Sequence, residues 1–319
     1  TMWIFLGLAS GLLMLLFGGD WLVKSASNLA SSLGISPLII GLTVVAFGTS
    51  TPELLVSVNA ALSGLSDIAV GNIVGSNIAN IGLILGLSGL IYPIQVHVNL
   101  LKREIPIMIV VAIVSFLMFL DQFVGRVDGL ILLMGLFGFI AFMIVSSQRE
   151  KGSEVATNES EQQAKTPIEI NRLYEILRLL LGIAVLMFGA QLTVNNATEL
   201  ARSVGISELV IGVTLVAVGT SLPELVTSVM AAIRQESDIA IGNVVGSNIF
   251  NILGILGITA IIQPINVAIQ TVRVDAIVMI IFSVLLMPFV LDRKLGRIEA
   301  TSFLMAYIGF TIYTVFMTT

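Results

Sequence analysis

The sequence predicts an all-α polytopic membrane protein whose ten transmembrane helices form two inverted five-helix repeats. Of its 319 residues, 56% are hydrophobic and only 11% are charged, with a mean hydropathy of +1.04, whereas a soluble domain carries about 25% charged residues. The apolar runs approach about 20 residues, the length that crosses a hydrocarbon core about 30 Å thick. The second half of the chain also repeats the first at one constant offset, the repeat offset, which relates Gly41 to Gly212 and Pro93 to Pro264.

Hydropathy places the predicted spans in order along the chain. Their approximate limits are residues 2–23, 38–63, 68–92, 104–120, 127–146, 174–196, 209–233, 239–263, 274–291 and 298–317. The longest polar stretch, 147–173, is charged and poor in apolar residues, so we expect a flexible linker there. It separates a first five-helix repeat, residues 1–146, from a second, residues 174–319.

The repeat is visible without gaps. "GLTVVAFGTSTPELLVSVNAA" (41–61) matches "GVTLVAVGTSLPELVTSVMAA" (212–232) at 14 of 21 positions. "SDIAVGNIVGSNIANIGLILGL" (66–87) matches "SDIAIGNVVGSNIFNILGILGI" (237–258) at 16 of 22 positions. Because each copy holds an odd number of spans, the second copy enters the membrane from the opposite side. Inverted repeats are typical of secondary transporters, which bind their substrates near the bilayer midplane.

Charge and composition set the topology and exclude several classes of function. Twelve of the 15 basic residues fall on one side of the predicted spans, which makes that side cytoplasmic. We therefore expect a multi-pass plasma-membrane protein with both termini external and residues 146–172 cytoplasmic. The net charge of −5 disfavours nucleic acid as a partner, and the lack of cysteine excludes disulfides and thiolate metal sites. No ATP-binding loop or nucleophile–base pair is evident, so we predict no enzyme activity, no cofactor and a functional monomer in the lipid bilayer.

Two carboxylates interrupt the apolar spans. "GTSTPE" (48–53) ends in Glu53 and "GTSLPE" (219–224) ends in Glu224. A carboxylate at the bilayer centre costs about 2.5–3.5 kcal/mol on insertion scales. At about 1.5 Å per helical residue, Glu53 lies roughly 15 Å and Ser76 roughly 12 Å below the external surface, so both lie near the midplane. The inverted copy predicts the same depth for Glu224 and Ser247.

Oxygen-bearing residues surround these acids at helical spacing. Thr49 and Glu53, like Ser76 and Asn80, are four residues apart and share a helix face. The second copy supplies the corresponding residues Thr220, Glu224, Ser247 and Asn251. The prolines before the acids are expected to free backbone carbonyls, those of Ala46 and Ala217. Hard cations such as Ca²⁺ take six to eight oxygens, and two carboxylates balance one divalent ion or two monovalent ions. Competition for one pair of acids is a physical basis for ion exchange.

At this point the paired motifs "GTSTPE…GSNIAN" and "GTSLPE…GSNIFN" resemble those of the sodium/calcium exchanger family, within the wider cation/calcium exchanger superfamily. The resemblance extends over all ten predicted spans. It implies that the two glutamates bind calcium and sodium and that the first and sixth spans slide across the others. It further implies oxygen ligands from the hydroxyls or carbonyls of Thr49, Ser50, Ser76, Thr220, Ser221, Ser247, Ala46 and Ala217.

One departure from the family pattern concerns the amides. Some members, including the potassium-dependent branch, have aspartate at the position of Asn251, whereas both copies here have asparagine, Asn80 and Asn251. The sequence therefore resembles the potassium-independent branch. The hydroxyls favour Na⁺ over H⁺ as the coupling ion, since a proton needs only a titratable carboxylate. A calcium/proton antiporter on the same fold, and a cation channel, remain the alternatives.

Overall fold

The computed structural model describes residues 2–157, 171–203 and 217–318. In the first half, the elements are α1 (Met2–Leu33), α2 (Pro37–Ile40), π1 (Gly41–Val45), α3 (Ala46–Thr49), α4 (Thr51–Leu62), α5 (Ser66–Ala79), π2 (Asn80–Leu85), α6 (Gly86–Ile91), β1 (Ile94–Gln95), π3 (Leu100–Glu104), α7 (Ile105–Phe119), β2 (Phe123–Val124) and α8 (Arg126–Thr157). In the second half, they are α9 (Arg172–Ser203), α10 (Ala217–Thr220), α11 (Leu222–Ile233), α12 (Ser237–Phe250), π4 (Asn251–Leu256), α13 (Gly257–Ile262), β3 (Ile265–Asn266), π5 (Thr271–Asp275), α14 (Ala276–Phe289), β4 (Lys294–Leu295) and α15 (Arg297–Thr318).

The predicted helical membrane architecture is confirmed at the level of its class. Within the described residues, seven helices are long and apolar enough to cross a membrane, and eight if the bent pair Pro37–Thr49 and Thr51–Leu62 counts as one span. The predicted span over residues 209–233 lies partly outside the described residues, and its described end contains the shorter apolar helix Leu222–Ile233.

The structure describes only the two ends of the predicted linker, residues 147–173. Helix α8 continues to Thr157, so the first part of the stretch 147–173 is helical. Glutamate, lysine and arginine in this stretch favour helix, and no proline ends it before Thr157. A polar composition alone does not distinguish a solvated helix from a coil. The rest of the predicted linker, up to the start of α9 at Arg172, lies largely outside the described residues.

Two continuous helical spans that contain π-helical turns form the centre of the described structure, and two long helices lie outside it. The spans Ser66–Ile91 and Ser237–Ile262 are 72% and 83% buried, against 28% for both Met2–Leu33 and Arg172–Ser203. The long helices α1 and α9 cross at small residues: a Cβ at Gly18 would lie 2.8 Å from Leu186 N, and one at Gly182 would lie 3.0 Å from Leu22 N. These glycines allow the two backbones to touch, as small residues do in membrane helix pairs.

Two short antiparallel ladders join the halves of the chain. Strand β1 pairs with β4, with Ile94 opposite Leu295, and β2 pairs with β3, with Val124 opposite Ile265. The repeat offset converts each pairing into the other. The two pairings are therefore equivalent when the two halves of the chain are exchanged.

The helices that carry the motifs are irregular at equivalent positions. The backbone breaks at Ser50 (φ −84°, ψ 9°) and at Ser221 (φ −87°, ψ 8°), each two residues before a proline. The helices on either side of Ser50 are bent by 44°. In the central helices, a π-helical turn begins at Asn80 and again at Asn251. Irregular backbone at membrane depth is tolerated where it is enclosed by protein or lines a cavity.

Candidate cation site

The two carboxylates are held by hydroxyls from the opposite half of the chain. Glu53 and Glu224 are each 1% exposed. The Ser50 hydroxyl donates to Glu224 Oε1 at 2.8 Å, and the Ser221 hydroxyl donates to Glu53 Oε1 at 3.2 Å. Ser50 belongs to the same motif as Glu53, and Ser221 to the same motif as Glu224, so each motif caps the acid of the other. The two acids therefore lie in one shared cluster.

The threonines cross between the halves in the same way. Thr49 Oγ1 lies 3.1 Å from Asn243 Oδ1, and Thr220 Oγ1 lies 3.2 Å from Asn72 Oδ1. Asn243 also donates to the backbone oxygen of Glu224 at 3.3 Å, while Asn72 donates to that of Glu53 at 3.1 Å. Each of these asparagines thus links the acid-bearing helix of its own half to the threonine of the other half.

The serines of the central helices lie beside the same cluster. Ser221 Oγ contacts Ser76 Oγ at 3.2 Å. Ser247, the repeat equivalent of Ser76, is also buried, but its hydroxyl has no hydrogen-bond partner among the described residues. The two halves therefore contribute the same side chains but do not bond them identically.

The amides of Asn80 and Asn251 complete the cluster from the π-helical turns. Asn80 Nδ2 donates to Asn248 Oδ1 at 2.9 Å, and Asn251 Nδ2 donates to Asn77 Oδ1 at 3.0 Å. Both amides are 1% exposed. Since Asn80 follows Ser76 by one helical turn, its side chain lies on the same face as that serine.

Several buried oxygens in this cluster have no hydrogen-bond partner among the described residues. They are Glu53 Oε2, Glu224 Oε2, Asn80 Oδ1, Asn251 Oδ1 and Ser247 Oγ. An unsatisfied buried acceptor is destabilising by about 1–3 kcal/mol, and more when it is charged. Among the described residues, no Lys, Arg or His nitrogen lies within 4.0 Å of the Glu53 or Glu224 carboxylate. This is the arrangement expected where a cation is the missing partner.

The donor set is poor in acids for a metal centre. The described residues hold no group of three or more His, Asp or Glu side chains that could bind a metal ion. A cation here would take two carboxylates and fill its remaining positions with hydroxyl, amide and carbonyl oxygens. Hard cations accept such ligands.

The prediction that proline frees the Ala46 carbonyl is wrong, whereas the prediction for Ala217 is not tested. Ala46 O is not freed: it accepts the Ser50 N–H at 3.0 Å and the Thr49 hydroxyl at 3.3 Å. Proline lacks an N–H, so Pro52 deprives the carbonyl four residues before it, that of Gly48, of its helical donor. Ala217 is the first residue of the described helix Ala217–Thr220. Whether either alanine carbonyl serves a cation stays a prediction.

The sequence analysis missed four asparagines that organise the cluster. They are Asn72, Asn77, Asn243 and Asn248. A signal was present for Asn72 and its equivalent Asn243, because Asn72, Ser76 and Asn80 lie at four-residue intervals on one helix face. All of these positions recur in the second copy at the repeat offset.

Access to the cluster differs between its two sides. A cavity of about 710 Å³ lies beside Thr220, between helix α4 and helix α9, and is lined by Pro52, Asn59, Ala190 and Arg202 among others. At the equivalent position beside Thr49, helix α1 packs on α11, and a Cβ at Gly19 would lie 2.9 Å from Val226 Cγ1.

Polar contacts also stabilise the side where α1 packs on α11, the closed side. Arg234 pairs with Asp20, which also contacts Lys24 at 3.0 Å, and Ser27 donates to Glu236 at 2.8 Å. The second copy has Gln191 at the position equivalent to Asp20, so the pairing of Asp20 with Arg234 is not repeated there.

Comparisons with known proteins agree with this architecture. A family model described as sodium/calcium exchanger protein matches residues 3–145 and 174–316. The inner membrane protein YrbG of Escherichia coli is 41% identical over 254 residues, covering 80% of this chain and 78% of that protein. The sodium/calcium exchanger MaX1 of Methanosarcina acetivorans is 35% identical over 341 residues, covering 97% of each chain. A solved structure of the sodium-calcium exchanger NCX_Mj, soaked with 2.5 mM Na⁺ and 0.1 mM Ca²⁺, superposes with a TM-score of 0.83 at 34% identity and 97% coverage of each chain.

Proposed function

The chain belongs to the sodium/calcium exchanger family, and from that premise we propose that it is an antiporter that exchanges sodium for calcium by alternating access. It is a multi-pass membrane protein, and we propose that its cations bind near the midplane. The ligands would be those of the sequence analysis: Glu53, Glu224, Thr49, Thr220, Ser50, Ser221, Ser76, Ser247, Asn80, Asn251, Ala46 and Ala217.

One observation carries the proposal: two buried carboxylates share a cluster that holds no positive side chain among the described residues. Glu53 and Glu224 are each 1% exposed, and the second oxygen of each has no hydrogen-bond partner in that part of the chain. Two negative charges buried in one cluster are strongly destabilising without a counter-charge. One Ca²⁺ would balance both, and so would two Na⁺. The site would therefore be stable when loaded with either ion and unstable when empty, which couples the two ions.

The proposed architecture is ten helices in two inverted repeats, with residues 147–173 as a cytoplasmic connector. The ladders β1–β4 and β2–β3 support it, because a two-fold axis in the membrane plane would exchange them and place them on opposite faces. The excess of basic residues on one face supports external termini.

Alternating access would come from the outer helices. Helices α1 and α9 touch through glycines, so they can move as one unit across the buried central helices. The cavity beside α9 and the closed contact beside α1 correspond to a state open on the Arg202 side. By the positive-inside assignment, that side is external. Sliding of the pair would close the cavity and open its equivalent.

The test is calcium uptake into liposomes that hold the purified protein. Vesicles loaded with sodium at constant pH should accumulate radioactive calcium, and vesicles without sodium should not. Uptake driven by an acidic interior and indifferent to sodium would replace this proposal with calcium/proton exchange. The Glu53→Gln variant in the same vesicles sets the background.

A further inference from the structure

Two asparagines outside the proposed ligand set form a closed hydrogen-bond network at the centre of the molecule. Asn77 Nδ2 donates to Asn248 O at 3.2 Å, and Asn248 Nδ2 donates to Asn77 O at 3.3 Å. The same nitrogens lie 3.6 Å from Met279 Sδ and 3.7 Å from Met108 Sδ, respectively. Both amides are 1% exposed. Both N–H bonds of each amide are thus used within the protein.

This network fixes which end of each amide points where. A backbone carbonyl only accepts hydrogen bonds, so the nitrogen of Asn77 must face Asn248 O. Its oxygen must then face Asn251, at 3.0 Å, and can be satisfied only by a donor. The nitrogen of Asn251 therefore turns toward Asn77, and its oxygen turns away, where it has no partner among the described residues. The orientation thus follows from bonding chemistry alone.

The second half of the network imposes the same constraint on Asn80. The Asn248 nitrogen is engaged by Asn77 O, so the Asn248 oxygen faces Asn80 Nδ2 at 2.9 Å. The oxygen of Asn80 is again left buried and without a partner among the described residues.

We infer that Asn77 and Asn248 are positioning residues that hold the amides of Asn251 and Asn80 with their oxygens toward the cation. The inference rests on the proposed function, since it assigns a role toward the same site. An unconstrained amide could present its nitrogen instead, which carries partial positive charge and repels a cation. Neither Asn77 nor Asn248 needs to touch the ion.

The test is a pair of double-mutant cycles scored by the KM for calcium in sodium-loaded liposomes. Asn77→Ala removes the acceptor that orients Asn251 and should raise the KM about tenfold. Asn251→Asp alone should also raise it, because a carboxylate oxygen then faces the Asn77 oxygen. Combined, the two changes should bring the KM below that of either single variant. Both terminal atoms of an aspartate side chain are oxygens, so one of them faces the cation in either orientation. In the Asn77→Ala background, the Asn77 side-chain oxygen that would repel the other one is absent.

The control combines an alanine variant of one pair with the aspartate variant of the other pair. Asn80 is oriented by Asn248, so Asn80→Asp should not relieve Asn77→Ala but should relieve Asn248→Ala. Thermal unfolding of each variant in detergent reports folding separately. A role in packing alone would give additive effects, or the same result for matched and exchanged pairs, and would overturn the inference.

The remaining outcomes are also decisive. Calcium uptake by the wild-type protein with purely additive double variants would overturn the inference and leave the proposed function standing. Absence of sodium-driven uptake by the wild-type protein would overturn both. If Asn77→Ala does not fold, the cycle of Asn248→Ala with Asn80→Asp decides alone. Loss of folding in both alanine variants, unrelieved by the matched aspartates, would also contradict a positioning role.

Discussion

The two copies of the GTS-x-PE motif have the same chemistry but different surroundings. Thr49 is 1% exposed, whereas its equivalent Thr220 is half-buried and lines a cavity of about 710 Å³. Pro223 is buried and its equivalent Pro52 is half-buried. The residues that close the Thr49 side, Asp20 and Arg234, are not repeated: Gln191 and Ser63 stand at the equivalent positions.

The comparison shows that the residues proposed to bind ions differ from those that open or close a path to them. The oxygens of the site lie on repeated positions, so both halves supply them and neither is sufficient alone. The contacts that open one side and close the other lie on positions where the copies have diverged. Substitutions at repeated positions should therefore affect ion binding in either half, and substitutions at diverged positions should affect the population of the two states.

The largest expected effect is the loss of either acid. Glu53→Gln and Glu224→Gln should each lower calcium exchange at least about a hundredfold, because one carboxylate leaves a buried divalent ion half neutralised. Initial rates of radioactive calcium uptake measure this. Asp121→Asn, at an exposed acid in a loop, is the control and should exchange normally. Normal transport by either glutamine variant would refute the shared site.

The capping serines should show a smaller and unequal effect. Hydrogen bonds to charged groups are worth about 1.5–3 kcal/mol, so Ser50→Ala and Ser221→Ala should each raise the KM for calcium roughly tenfold or more. Ser221→Ala should be the more severe, since Ser221 also contacts Ser76 at 3.2 Å. Ser115 is equally buried but donates only to Ala112 O of its own helix, so Ser115→Ala should leave the KM unchanged. A reversed order of the two variants would count against the unequal bonding.

Cysteine labelling can compare the two sides directly, because the chain has no native cysteine. Asn59 lines the cavity, and its equivalent, Met230, lies against α1, where a Cβ at Gly19 would be 3.2 Å from Met230 Cγ. The purified Asn59→Cys variant should react with a polar maleimide several times faster than the Met230→Cys variant. Equal rates would show that the closed side is as accessible as the open one.

A smaller shift is expected from the polar contacts of the closed side. Asp20 and Arg234 are partly exposed, with side chains 20% and 32% accessible, and such a pair is worth about 1 kcal/mol or less. Adding Asp20→Asn to the Met230→Cys variant should raise its labelling rate by up to about fivefold. Gln191→Ala, at the equivalent position, is the matched control and should not change that rate. An unchanged labelling rate in the Asp20→Asn variant would contradict the proposal that the Asp20–Arg234 pair stabilises the closed side.

The smallest effect is expected from the connector. Deletion of residues 150–165 should leave the uptake rate unchanged, because the site is built from the helices on either side of this stretch. A folded but inactive deletion variant would assign the stretch a role beyond connection.

Sequence reasoning reached the class and the internal repeat, and it named many of the side chains that the structure brings together around Glu53 and Glu224, because each depends on a local pattern. The apolar runs predict spanning helices, and the constant repeat offset predicts two related halves. The helical spacing of Thr49 with Glu53 predicted one shared helix face, and this is wrong: the backbone breaks at Ser50, so Thr49 lies on α3 and Glu53 on α4, which are bent by 44°. The sequence did not predict that the Ser50 hydroxyl donates to Glu224 Oε1 at 2.8 Å, since that contact depends on how the two halves pack.

Other features were not predicted, for different reasons. The sequence analysis treated asparagines as ligands only, whereas Asn77 and Asn248 bond to each other's backbone. The helical extension to Thr157 was missed because polarity was taken as a sign of coil. The open and closed sides could not be distinguished from motifs that are nearly identical in both copies.

The central claim, that two halves build one site shared by both ions, is tested most directly by equilibrium binding. Purified protein in detergent would be titrated with radioactive calcium at fixed pH and then with increasing sodium. We expect one calcium per chain, fully displaced by sodium with a Hill coefficient above one, since two or more Na⁺ must replace one Ca²⁺. Two independent calcium sites per chain, or calcium binding that is indifferent to sodium, would contradict the account.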